Sequence, residues 1–206
     1  MLPTGNVRDE LDVPGVGRIE VSHVDAANPV VFVRWDALGL DGTESCDRID
    51  SDTDLLGRIE AVRAAAAVQS GIARTLAEAT HRVPSVPKLA FVGAPTAYTQ
   101  TDGSAALAGD VDVRASMMSM GRLHRSYPLT GAIATAVAAA IPGTLTAEVA
   151  TTKDGTTRIG HPAGVMVMQA NPREVDAQWV VDAVSGYRTA RRLMEGWALV
   201  PDERLK

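Results

Sequence analysis

The sequence predicts an α+β domain in which a curved, mostly antiparallel sheet wraps round one buried helix, and three observations lead there. Short alternating or β-branched runs recur between turn residues, namely GRIEVSHV, VVFVR, KLAFVG, VDVRASMMSM and VMVMQA, each with strand length and strand composition. Residues 132–141, AIATAVAAAI, carry no charge, so a helix there has no solvent-facing stripe and must be enclosed by other elements. Only 4% of the chain is aromatic, while Ala and Val abound. Small side chains of that kind suit close helix-to-sheet packing better than a sandwich built on large rings.

In chain order, residues 17–24 alternate, with Ile19, Val21 and His23 on one face and Arg18, Glu20 and Ser22 on the other, as in a half-buried strand. Beyond the loop at Asn28-Pro29, residues 30–34 form a continuous apolar run suited to a strand covered on both faces, pairing with the first. Residues 35–51 are polar and contain Gly39 and Gly42, which predicts an exposed connection. Asp52 or Thr53 can cap a helix over residues 54–73, where Leu55, Ile59, Val62, Ala66 and Ile72 recur at near-helical spacing. Pro84 and Pro87 bracket a break before a buried strand at 88–93, and residues 96–109 form a turn-rich excursion toward solvent. VDVRASMMSMG alternates as a strand, the enclosed helix follows, and Pro142-Gly143 ends it. Strands are expected over 144–150, 157–161, 165–170, 178–185 and 189–200, with turns at Lys153-Asp154-Gly155 and Asn171-Pro172.

With 206 residues and 46% hydrophobic content, the chain can bury a substantial core. Its formal charge is -5 and both signs are scattered, which excludes the basic stripe a nucleic-acid partner needs. No apolar stretch reaches the roughly 20 residues of a membrane span, and the first residues lack the pattern of a secretory signal. The cytoplasm is the expected location. The single cysteine, Cys46, and four scattered histidines offer no intramolecular disulfide and no zinc spacing, which leaves a metal without support from the residues.

Three segments stand out as candidate binding sites. The turn at 127–132, YPLTGA, places unpaired backbone N–H groups at the start of the enclosed helix, where the dipole and free donors favour a carboxylate. Thr130 can add its hydroxyl and Gly131 can admit a ligand to the backbone, while Arg122, His124 and Arg125 just upstream can neutralise a second carboxylate. The alternative is that Thr130 only caps the helix and the cations are solvated. The second segment, RIGHPAG at 158–164, is a rigid glycine- and proline-bound loop whose amides can point into a cleft; it can also be an ordinary hairpin with an exposed His161. At the third, the Asn28 side chain can bind a substrate oxygen or hold its loop as an Asx-turn. No convincing acid–base pair emerges. Glu44, Asp47 and Asp50 surround Cys46, and their charge would raise a thiol pKa.

Taken together, LPTGNVRDELDVPGVGRIEVSHVDAANPVVFV, MMSMGRLHRSYPLTGAIATAVAAAIPGT, RIGHPAGVM and RTARRLMEGWALVP resemble the PrpF family, the 2-methylaconitate cis-trans isomerases and the related 4-oxalomesaconate tautomerases. The resemblance implies a diaminopimelate epimerase-like fold, built of two similar halves that each curl a sheet round a central helix, with the active site between them. It further implies that residues 1–206 form a single domain equivalent to the C-terminal half, with the N-terminal half absent. In that reading Thr130 and Gly131 of the 127–132 turn face substrate carboxylates, Asn28 and the His161, Pro162, Gly164 loop line the same cleft, and Ala163 stands where members often carry serine. The lysine and cysteine that move the proton belong to the other half, and Cys46 is not that cysteine. The expected function is cofactor-independent 1,3-proton transfer on 2-methylaconitate or a related unsaturated tricarboxylate, with no metal or organic cofactor and with a separate N-terminal half or a second copy as partner. The competing expectation is a non-catalytic chain that self-associates or binds a partner. An amino-acid epimerase fits less well, because such enzymes carry a reactive cysteine where this chain has YPLTGA.

Overall fold

The computed structural model describes residues 1–187, 191–197 and 199–201. The first strands are β1 (Asp9–Val13), β2 (Gly17–Asp25) and β3 (Pro29–Arg34), followed by the helices α1 (Cys46–Asp50), α2 (Thr53–Gln69) and α3 (Leu76–His81). Then come β4 (Lys88–Gly93), the short pair β5 (Tyr98–Thr99) and β6 (Ala105–Ala106), β7 (Val113–Ser119) and β8 (Arg122–Leu123). Two helices, α4 (Leu129–Ala140) and α5 (Leu145–Val149), precede β9 (Thr156–His161), β10 (Gly164–Ala170), β11 (Arg173–Val175), β12 (Gln178–Val180) and β13 (Val184–Gly186).

The main sheet runs β1-β2-β3-β4-β7-β9-β10-β13, with β8 attached to β7. Its neighbours are antiparallel except β3–β4 and β7–β9. A parallel pair needs a crossover, and each crossover supplies a helical layer: α1 to α3 for the first, α4 and α5 for the second. Strand alternation sorts side chains between the two layers. Val30 and Phe32 of β3 with Ala90 and Val92 of β4 share a core with α4. Val31, Val33, Leu89 and Phe91 share the other core with α2.

Curvature follows from what α4 touches. It packs against β2 and β3 and also against β9 and β10. In a flat sheet β2 and β10 would stand about 24 Å apart, further than the roughly 18 Å length of a twelve-residue helix, so the sheet must curl round it. Residues 132–139 of α4 are buried except Ile133, which is half-buried, as the lack of any charged residue requires. Trp179, Val181 and Val184 close over the same core.

The predicted strands at 17–24, 30–34, 88–93, 157–161 and 165–170 stand within a residue of where the sequence places them. Other expectations are corrected. Residues 35–51 are an exposed connection only in part: Trp35 and Leu38 are buried in a 3-10 turn, and α1 buries Cys46 and Ile49. Residues 144–150 are not a strand but the helix α5, because Thr144 Oγ1 accepts the Ala147 N–H and caps it. The helix starting at Thr53 stops at Gln69, so Ile72 lies beyond it. The expected 178–185 strand splits at 181–183 into β12 and β13. Within 189–200, Thr189, Ala190 and Ala198 lie outside the described residues, and the described remainder is not strand. Among the described residues no helix is long and apolar enough to cross a membrane.

Candidate functional site

The first turn of α4 differs from every other described α-helix start. Ser45, Asp52, Thr75 and Thr144 each cap a helix by accepting a backbone N–H at their side-chain oxygen. At α4 the cap position is Pro128, with no side-chain bond. The first intrahelical bond there is Ala132 N–H to the Pro128 carbonyl, 2.9 Å. The N–H groups of Leu129, Thr130 and Gly131 precede it, so no helix carbonyl is available to them. Thr130 is exposed in this turn and does not cap it.

Tyr127 braces the turn from below. The Thr135 hydroxyl donates to the Gly131 carbonyl at 2.8 Å, so the Tyr127 hydroxyl must be the donor in its 2.9 Å bond to Thr135 Oγ1. Burial pushes the Tyr127 phenol well above its ordinary range, against the smaller pull of Thr135 and Arg114. It is therefore a fixed donor and not a proton acceptor. Gly131 has a different role from the one expected. It is buried, and a Cβ there would stand 2.6 Å from Met117 Sδ, so the missing side chain lets α4 press onto β7 and does not open a path for a ligand.

Beside this turn lies a cleft of about 280 Å3 lined by Ser126, Tyr127, His161, Ala163, Val165 and Met166. The His161 and Tyr127 rings are 6.2 Å apart between centroids. His161 is buried, which corrects the reading of it as an exposed hairpin residue. Its Nδ1 accepts the Ala163 N–H at 3.2 Å, and the Nδ1 of His124 accepts the Ser126 N–H at 3.1 Å. An accepting Nδ1 places a proton on Nε2 of each ring. The turn between β9 and β10 is held on both sides: the Pro162 carbonyl accepts the Thr101 N–H at 2.7 Å and the Gly164 carbonyl accepts the Tyr98 hydroxyl at 2.6 Å. Gly164 adopts φ +140°, a region open to glycine.

Of the expected residues, His161 lines this cleft beside Tyr127, Pro162 and Gly164 belong to the same turn as His161, Thr130 and Gly131 follow Tyr127 in the first turn of α4, and His124 is two residues from Ser126. Two expected members stand apart. Arg122 follows the Met120-Gly121 turn, which borders a groove with Leu56, Ile59 and Pro84 on the α2 side. Asn28 sits half-buried in the β2–β3 turn without a side-chain hydrogen bond to any described residue. From β3 to β9 is three strand spacings, roughly 14 Å. Arg125 pairs with Asp47 at 2.6 Å rather than standing solvated and alone. Burial raises the Cys46 pKa, opposed by Arg125, so the direction expected from its acidic neighbours holds while the leading cause differs. Among the described residues no three His, Cys, Asp or Glu side chains are grouped to hold a metal ion. Ser126 and the Ala163 N–H escaped the sequence reading, since an Nδ1-to-amide bond two residues on has no compositional signature.

Residues 1–201 match the PrpF protein family. The chain belongs to the PrpF family. It is 39% identical over 98% of its length to the 2-methyl-aconitate isomerase of Cupriavidus necator, covering 51% of that protein. It is also 39% identical to the 3-methylitaconate isomerase of Eubacterium barkeri, over 100% of this chain and 53% of the relative. A crystal structure of methylitaconate-delta-isomerase superposes with a TM-score of 0.83 at 40% identity, over 96% of this chain and 50% of that one. The chain spans about half the length of the curated relatives it matches. The fold expected from the sequence, a sheet curled round an enclosed helix, is the architecture seen here.

Proposed function

We propose that this PrpF-family chain acts in the cytoplasm as the C-terminal half of a cofactor-independent isomerase, binding a carboxylate of 2-methylaconitate or a related unsaturated tricarboxylate at the open first turn of α4. The observation that carries this reading is the missing cap at Pro128 in a chain whose other described α-helices all carry one. Three unclaimed donors and the positive end of the helix dipole suit an oxyanion, with the polar rings of His124 and His161 nearby. The relatives' names supply the substrate class.

In this reading 1–206 is one domain, it holds substrate, and proton transfer is carried by groups of the other half of the fold. The two best-formed candidates here argue for that division: the Tyr127 phenol is locked as a donor, and the Cys46 thiol, its pKa raised by burial, borders a different cavity. Calorimetric titration with cis-aconitate tests the proposal. Saturable binding without turnover is expected; isomerisation by the isolated chain would overturn the division of labour, and no binding would overturn the site.

A second reading, association through an apolar face, draws on Leu193, Met194, Trp197 and Leu199, which are almost fully exposed, Trp197 to 98%. Such surface is tolerated poorly unless covered. Sedimentation equilibrium distinguishes the two: a monomer that binds aconitate supports the first reading alone.

A further inference from the structure

On the face of the sheet away from α4, a cavity of about 220 Å3 is bounded by Thr43, Cys46, Thr99, Gln100, Arg114 and Arg125. Arg114 projects from β7 and is only 3% exposed. Its Nε donates to the Gly42 carbonyl at 2.9 Å, and its Nη1 donates to the carbonyls of Ala115 and Gly160 at 2.8 and 3.0 Å and to Ser116 Oγ at 3.3 Å. The Tyr98 ring lies under the guanidinium, 4.0 Å from Cζ to centroid. Every one of these partners is neutral, and Nη2 donates to no described residue.

The other deeply buried guanidinium shows what is missing. Arg63, 5% exposed, forks onto Glu60 with contacts of 2.6 and 2.7 Å. Arg114 makes no ion pair with a described residue. Of the two acidic groups at its cavity, Glu44 acts on Arg114 through its charge but makes no ion pair with it, its oxygens accepting the N–H groups of Asp41 and Gly42, each at 3.0 Å, and Asp47 pairs with Arg125. A buried charge without a directly paired counter-ion is costly. Burial accordingly draws the Arg114 pKa below its usual value.

We propose that the cavity binds a small oxyanion, with one oxygen on Nη2 of Arg114. The cavity shares Pro162 with the β9–β10 turn, whereas Thr130 of the first turn of α4 does not line it. Since Arg114→Lys can disturb folding by uncoupling four hydrogen bonds, the test uses the intact chain and an exposed rim variant. The Nε–Hε resonance of Arg114 is followed in a nitrogen–proton spectrum during titration with sodium acetate, with sodium phosphate, and with sodium chloride at matched ionic strength. A saturable shift in the acetate or the phosphate arm and none with chloride is expected, the responding arm identifying a carboxylate or a phosphate. Thr99→Glu, which places a carboxylate at the rim, should raise the melting temperature and weaken the anion response at least tenfold. Absence of a saturable shift in both anion arms, or an undiminished response in Thr99→Glu, overturns the proposal. Substitution of Thr130 leaves this response unchanged.

Discussion

The two long helices, α2 and α4, lie on opposite faces of one sheet and treat their polar groups in opposite ways. On α2 every end is closed. Asp52 Oδ1 accepts the Leu55 N–H at its start, Arg63 and Glu60 pair along its length, and Gln69 meets the ring of His23 at its finish. On α4 the only side chains with polar atoms are Thr130 and Thr135; Thr135 is bonded back to Gly131, and the first turn has no cap. A helix that satisfies itself is a support. A helix whose first turn is left open, although its own body is enclosed, keeps unclaimed donors, and the dipole there favours an anion.

The largest effect should come from breaking the closed side. Arg63→Met removes the fork to Glu60 and strands the carbonyls of Ala79 and Val86, which the guanidinium reaches at 2.9 and 3.0 Å. Urea unfolding should show a loss of about 3 kcal/mol, while aconitate affinity of the molecules still folded should not change.

Next in size is Gly131→Ala. The added Cβ would lie 2.5 Å from Met117 Cε in a fully buried position, and the overpacking cost of 1–3 kcal/mol should exceed the roughly 1 kcal/mol gained in helix propensity. A net loss of about 1 kcal/mol is expected, together with weaker aconitate binding because the first turn shifts. Equal affinity would separate the two helix faces more sharply than argued here.

Much of this contrast was legible in the sequence, and what was not has a physical cause. The charge-free run at 132–141 announced an enclosed helix because burial of every face leaves no other reading, and KLAFVG announced β4 because an unbroken apolar run suits a strand covered twice. Residues 144–150 misled: TLTAEVA alternates like a strand, yet a Thr144 cap and packing against β3 and β4 turn it into a helix too short to show a period. Arg114 alternates with Val113 and Ala115, so its face of β7 reads as solvent. Only the tertiary cover of Trp35 and Tyr98, supplied by distant loops, buries it. The open turn of α4 was visible as YPLTGA, but whether Thr130 caps it depends on a backbone geometry that residue types do not determine.

A smaller effect probes the closed side by pH. Burial holds the His23 pKa below its ordinary 6.5, with Asp9 and Gln69 pulling the other way. The unfolded chain therefore binds the extra proton first. The contribution of His23 is complete above about pH 6.5 and is lost as pH falls below it toward the depressed folded value. His23→Gln, which keeps a partner for Gln69, should flatten the slope of stability against pH in that window; an unchanged slope would assign it to other groups.

The most direct test of the central claim, that the first turn of α4 is open because an anion closes it, pairs stability with binding in one variant. Thr130→Asp places a fixed carboxylate at the exposed turn, where it should stabilise the helix by about 0.3–1 kcal/mol while repelling substrate. Thermal unfolding and cis-aconitate titration of this variant beside Thr130→Asn should therefore give a higher melting temperature together with at least a tenfold weaker affinity for the aspartate alone. An aspartate variant that binds aconitate as tightly as the parent chain would contradict the account.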